Sequence, residues 1–172
     1  MRAIYLTGFM GSGKTTIGKL LSKASGLPVF DTDVLVEEKE GKSIKDIFLQ
    51  EGEAYFRERE SEILRALSGE NMIVTTGGGI ILAKENREWI RKNGYWVYLH
   101  CDPEEIEHRL VNDTSRPLLA GEKSANLRSI FEKRLPLYRE APIQVDTTNK
   151  STQEVVEEIL NALQIESASK IL

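Results

Sequence analysis

Short apolar runs alternate with longer stretches of helical period along this chain. Ala3–Thr7, Pro28–Thr32, Met72–Thr75, Tyr95–His100 and Ile143–Asp146 are brief, mostly apolar segments of the kind that form strands. The intervening segments predict helices over Lys14–Ala24, Val34–Gln50 with a break near Gly41, Gly52–Leu67, Ala83–Asn93 and Pro103–Val111. Ala125–Arg139 and Ser151–Leu163 complete the set. In the first helix Ile17, Leu20, Leu21 and Ala24 mark one apolar face, and in the last Val155, Val156, Ile159, Leu160 and Leu163 do the same. Ser43 opens a capping-box-like Ser-Ile-Lys-Asp, and Ser151 is placed to cap the final helix. Strand–helix alternation implies an α/β fold: a parallel sheet with helices on both faces, whose ligands bind beyond the carboxyl ends of the strands.

Composition narrows the setting. A chain of 172 residues fits one domain, and 40% hydrophobic residues supply a core without disulfide staples. Cys101 is the single cysteine, so no intramolecular disulfide is available; with no signal peptide in view, a reducing cytoplasm is expected. No apolar run approaches the roughly 20 residues that span a bilayer, so no membrane partner is expected. A formal net charge of −4 argues against nucleic acid but not against a small anion, because local Arg and Lys set the field inside a cleft. No exposed apolar stripe stands out, so a monomer is expected, with a frayed tail over 165–172.

The sharpest motif is Gly8–Thr15, GFMGSGKT, a full match to the phosphate-binding loop G-x-x-x-x-G-K-[ST]. Its glycines let backbone N–H groups close around phosphate oxygens. Lys14 supplies a cation to the outer phosphates, and the Thr15 hydroxyl can ligate magnesium. The loop lies between a strand and a helix, so the phosphates meet a helix N-terminus.

A phosphate loop alone does not separate a kinase from a switch or a motor. Asp31-Thr32-Asp33 sits where the second strand runs out. In extended backbone, residues two apart point the same way, so both carboxylates are expected to face one site. One can orient magnesium and the other can accept a proton from an attacking alcohol; solvated turn acids would show the same spacing. Arg57 and Arg59 share a helix with Glu60, three residues beyond Arg57. Arg57 suits bidentate binding of a carboxylate, but from Arg57 alone an ordinary helix-face ion pair is the stronger reading. Gly77-Gly78-Gly79 permits close backbone approach to a ligand, or simply a turn. Arg116 lies in a connection of about a dozen residues, a length often used for lids. A lid arginine would meet charge on a transferring phosphoryl group and exclude water on closing. Arg109 and Arg134 complete this basic set, although surface arginines are common. His100 and His108 lack metal-ligand spacing with Cys101 and read as structural or surface residues.

Together these residues resemble the shikimate kinase family, which phosphorylates the 3-hydroxyl of shikimate from ATP. The resemblance rests on GFMGSGKTTIG (Gly8–Gly18), DTD (Asp31–Asp33), SIKDIF, FRERE, GGG (Gly77–Gly79), RPLLAG (Arg116–Gly121) and RLPLY (Arg134–Tyr138), in family order across nearly the whole chain. It implies a three-layer fold like that of nucleoside monophosphate kinases, with a five-stranded parallel sheet, a substrate-binding region over about 32–68 and a lid over about 111–124. It implies that Gly11, Ser12, Gly13, Lys14, Thr15 and Thr16 hold ATP, and that Mg2+ lies near Thr15 and Asp31. It makes Asp33 the base, and Arg57, Arg134, Gly78 and Gly79 the shikimate pocket, with Phe48 and Phe56 near the ring. Arg116 becomes the lid arginine, while Arg109 and Lys150 flank adenine. Two other readings compete. A kinase for another hydroxy acid such as gluconate needs similar groups. A catalytically silent sensor would be expected to lose Lys14, Asp33 or Arg116, and all three are present.

Overall fold

Alternation of side chains along the strands builds two cores, one on each face of a sheet. The structure, a computed structural model, describes residues 1–110 and 123–164. Five strands, β1 (Ala3–Thr7), β2 (Val29–Asp31), β3 (Ile73–Thr75), β4 (Gly94–His100) and β5 (Ile143–Asp146), pair in the order β2-β3-β1-β4-β5, all parallel. Ile4 and Leu6 of β1 join Ile73, Val97 and Val145 in one core, covered by α1 (Lys14–Ser25) and α8 (Thr152–Ala162) through Ile17, Leu21, Val155 and Ile159. Ala3 and Tyr5 face the other way, with Val74, Trp96 and Tyr98. That face is covered by α5 (Lys84–Asn93), α6 (Pro103–Leu110) and α7 (Lys123–Tyr138) through Ile90, Ile106 and Phe131. All five residues of β1 are buried, as expected for a central strand with helices on both sides.

Beyond β2, three helices make a smaller third core: α2 (Thr32–Glu40), α3 (Ile44–Gln50) and α4 (Glu53–Ala66), joined by Val36, Ile47 and Phe56. The break expected near Gly41 is a left-handed cap at φ 65°. Ser43 accepts the N–H of Asp46, and Ser151 forms a full capping box with Glu154. A short 3₁₀ turn over Ile80–Leu82, which periodicity does not announce, follows the glycine triplet.

The ends of three strands are level. Leu6 of β1 and Asp31 of β2 both register with Thr75 of β3. The chain leaves β1 toward β2 but leaves β3 toward β4, so the crevice between β1 and β3 is the topological switch point. The phosphate loop and the glycine triplet form its two lips. Among the described residues no helix is long and apolar enough to cross a membrane.

Candidate active site

Gly11 and Gly13 take φ of 76° and 92°, left-handed values that ordinary side chains resist, and so turn the loop into the start of α1. The Lys14 side chain lies back along the loop and donates to the carbonyls of Gly8 and Phe9 at 2.8 and 2.9 Å. Ser12 is buried, and its hydroxyl oxygen has no hydrogen-bond partner among the described residues. Arg109 on α6 reaches the loop, donating to the Gly11 carbonyl at 3.1 Å while Glu105 holds its other nitrogens.

Asp31 caps α2: its Oδ1 accepts the N–H groups of Asp33 and Val34 at 3.0 and 3.3 Å. Its Oδ2 accepts hydroxyls from both Thr75, at 2.7 Å, and Thr15, at 3.3 Å. This geometry corrects the extended-backbone expectation for Asp31-Thr32-Asp33. The strand ends at Asp31, and Thr32 and Asp33 are the first turn of a helix. The carboxylates therefore do not share one strand face. They reach one cavity because a helix begins between them.

That cavity, of about 410 Å³, is lined by the loop residues Gly11–Thr16 and by Asp31, Asp33, Gly78, Arg109 and Lys150. Sequence reasoning missed Thr76 and the wall formed by Thr147, Thr152 and Val155, which are ordinary residue types without a motif. Lys150 is paired with Glu158 at 2.6 Å at this wall.

Behind Asp33 lies a charged cluster. Arg57 meets Glu60 at 3.0 Å and Glu53 at 3.2 Å, with its guanidinium over the Phe56 ring. Burial works against its charge, but the two carboxylates outweigh that and hold its pKa above the ordinary value. Glu60 has no exposed surface. Burial pushes its carboxyl up to about 7; Arg57 opposes the shift, Asp33 adds to it, and Arg134 opposes it more weakly. Arg134 on α7 is buried over the Phe9 ring. Arg59 points elsewhere, bonded to Glu58 and Glu62 across Tyr55, and is a helix-face ion pair.

The glycine triplet allows these groups to meet. A Cβ on Gly77 would lie 2.5 Å from Glu60 Oε1 and 2.6 Å from Asp33 Oδ1, and one on Gly79 would lie 2.3 Å from the Arg57 guanidinium. Gly78 is fixed by its carbonyl, which accepts the Tyr138 hydroxyl. Tyr138 stacks on Tyr98 with ring centroids 5.0 Å apart, and Tyr98 is hydrogen-bonded to His100. Phe48 and Phe56 are in ring contact at 5.0 Å beside Arg57. Thus Lys14, Thr15, Asp31 and Asp33 share the cavity with Arg109 and Lys150, while Arg57, Gly79 and Arg134 form an adjoining cluster joined to Asp33 through Glu60 and Gly77. Arg116 and nearly all of the expected lid lie outside the described residues, as does the 165–172 tail.

Relatives share the architecture and part of the sequence. A family model described as shikimate kinase matches residues 10–164. A shikimate kinase of Bacillus cytotoxicus is 56% identical over 163 residues, covering 95% of this chain and 99% of its own. The structure of a shikimate kinase from Acinetobacter baumannii in complex with shikimate superposes with a TM-score of 0.92 at 36% identity, covering 100% of this chain and 96% of that one. A shikimate kinase from Aquifex aeolicus gives 0.81 at 39% identity over 94% of this chain and 96% of its own. With the phosphate loop, the carboxylate pair and the arginine–glycine cluster in place, the chain belongs to the shikimate kinase family.

Proposed function

We propose that this chain transfers the γ-phosphoryl group of ATP to the 3-hydroxyl of shikimate, giving shikimate 3-phosphate and ADP. The observation that carries this reading is the continuity of two half-sites. A phosphate loop and a candidate base, Asp33, line one cavity, and a buried arginine–carboxylate cluster adjoins that base. The reaction needs this combination: a polyphosphate cradle, a group to take a hydroxyl proton, and cations for a carboxylate on the acceptor.

The roles then follow from chemistry. Gly11–Thr16 present backbone N–H groups to the phosphates, and the orphaned Ser12 hydroxyl is suited to join them. Lys14 exchanges its loop carbonyls for the outer phosphates. Thr15 and Asp31 offer two hard oxygen ligands 3.3 Å apart, which fits Mg2+, an ion that keeps most of its shell as water and phosphate oxygen. When bound, the ion would neutralise phosphate charge. Arg57 and Arg134 hold the substrate carboxylate, with Gly78 and Gly79 beside them. Asp33 directs the 3-hydroxyl oxygen at the γ-phosphorus and accepts its proton as the bond to the β,γ-bridging oxygen breaks. Arg116, on the strength of its RPLLAG motif, supplies positive charge to the moving phosphoryl group. Arg109 and Lys150 flank the base of ATP. Positioning and fixed charge supply the catalysis, and no covalent enzyme intermediate is needed. We assign the chain as a single-domain cytoplasmic monomer with its lid over about 111–124.

A coupled ATP assay offering shikimate and gluconate separately tests the assignment. Shikimate alone should turn over. Turnover of gluconate without shikimate would replace the substrate, and turnover of neither would revive the silent sensor.

A further inference from the structure

Glu60 is the one wholly enclosed carboxylate among the described residues. Its Oε2 takes the Arg57 guanidinium at 3.0 Å, but its Oε1 has no hydrogen-bond partner among those residues. That oxygen and Asp33 Oδ1 converge on one point beside Gly77, where only the absence of a side chain leaves room for both. A buried carboxylate oxygen with no donor, facing a second carboxylate, is a natural resting place for a proton.

The surrounding charges balance. Facing Glu60 are Arg57 on its own helix, Asp33 on α2, and Arg134 with the Tyr138 phenol on α7. Glu53 shares Arg57 from the exposed side. Lys39 and Glu40 of α2 are engaged elsewhere, by Glu62 and Tyr55. Helix α3 meets α4 through Ile47 and Phe48, and α5 meets it through Asn86 on Ser61, none of them ionisable. Two guanidinium groups therefore face two carboxylates, Glu60 wholly buried and Asp33 half-buried at the cavity wall. An arriving substrate carboxylate adds a third negative charge to this enclosed set, and a low-dielectric site resists the excess.

We propose that binding of the substrate carboxylate to Arg57 and Arg134 draws a proton from solvent onto Glu60, so that the enclosed charge stays constant and Arg57 is released from Glu60 to the substrate. The inference rests on the reading of those two arginines as the carboxylate-binding pair. Glu60 is then a positioning residue that trades its hold on Arg57 for a proton and takes no part in phosphoryl transfer. Since its carboxyl already titrates near 7, the uptake falls in the neutral to mildly alkaline range. By linkage the effect is reciprocal: shikimate binding weakens as pH rises, by up to about tenfold per unit while one proton is exchanged.

Isothermal titration calorimetry of shikimate into the full chain, at mildly alkaline pH in two buffers of different ionisation enthalpy, tests this. The expected result is a buffer-dependent heat equal to uptake of a large fraction of one proton. Glu60→Gln, which keeps the volume and an acceptor for Arg57, should give a buffer-independent heat and a Kd flat with pH. Buffer-independent heat in the wild-type protein overturns the proposal, as does undiminished uptake in E60Q. If E60Q does not fold, the carboxyl carbon resonance of Glu60 in labelled wild-type protein decides: it must move to its protonated position on adding shikimate, and a stationary resonance overturns the proposal. Failure of shikimate to bind at all, with no heat in either buffer, instead removes the carboxylate-site reading on which the inference rests.

Discussion

Arg57 lies flat against Gly79, so close that a Cβ on that glycine would stand 2.3 Å from one guanidinium nitrogen. The backbone after β3 and the helix carrying Arg57 are thereby fitted to each other, and no larger residue can hold the guanidinium where it is. Gly79→Ala should fold, because the atom it displaces is the end of a flexible side chain. It should raise the shikimate KM by about tenfold or more, the cost of disturbing a charge-assisted pair, while the ATP KM stays within about twofold. Steady-state kinetics with each substrate varied in turn checks this; an unchanged shikimate KM would remove Arg57 from the acceptor site.

Asp33→Asn separates positioning from proton transfer. The amide keeps the shape of the side chain but does not take the hydroxyl proton. The expected outcome is a fall in kcat of about 10²–10⁴ with nucleotide affinity retained. Fluorescence titration with a nucleotide analogue, beside turnover, measures both. Near-normal kcat would assign the base elsewhere.

Tyr138→Phe tests the link from α7 to the glycine triplet. The phenylalanine keeps the stack on Tyr98 but loses the hydroxyl that holds the Gly78 carbonyl. One neutral hydrogen bond is worth about 0.5–1.5 kcal/mol, so the shikimate KM should rise about two- to tenfold with little change in the ATP KM. Loss of thermal stability without any KM change would make the bond purely structural.

Glu60 also marks the stability of the fold with pH. Its folded carboxyl titrates at about 7 against an ordinary value of 4.5, so the folded state holds this proton more tightly than the unfolded state does. Below about 4.5 both states are protonated and the group imposes no penalty. As pH rises through about 7 the stabilising preference is lost, up to a few kcal/mol. The Tm of Glu60→Gln relative to wild type should therefore climb as pH goes from about 5 to about 8. A constant difference across that range would show that Glu60 titrates normally.

Much of the fold was legible because each element carries its own signal. The strand β1 and the loop after it are marked by an apolar run and fixed glycines, and α8 by a capping serine and a clean apolar face. The carboxylate pair was legible as a site but not as a geometry. Asp31 is equally good at ending a strand and capping a helix, and the helical pattern from Val34 onward was the clue that its side chain would turn back to the N–H groups of residues 33 and 34. Burial of Glu60 had a signal too: Phe56, Glu60 and Leu64 are spaced four apart on one stripe of α4, all buried, so a charge sits in the middle of an apolar face. Arg57, one turn back on the same helix, does most to make that burial tolerable, and Arg134, from a helix some seventy residues later, adds to it. Such distant pairing is not written in local periodicity. The threonines at 75, 147 and 152 were invisible for the same reason, since their roles depend on which strand and helix ends the fold brings together.

On the proposed reading, donor and acceptor meet in one site with the 3-hydroxyl at Asp33. Phosphorus NMR of the product made from ATP, magnesium and shikimate tests it most directly. A single phosphate ester coupled to the proton on C3 of shikimate, formed in equal amount with ADP, is the predicted result. Phosphate on another hydroxyl, or ADP and free phosphate with no ester, would contradict it.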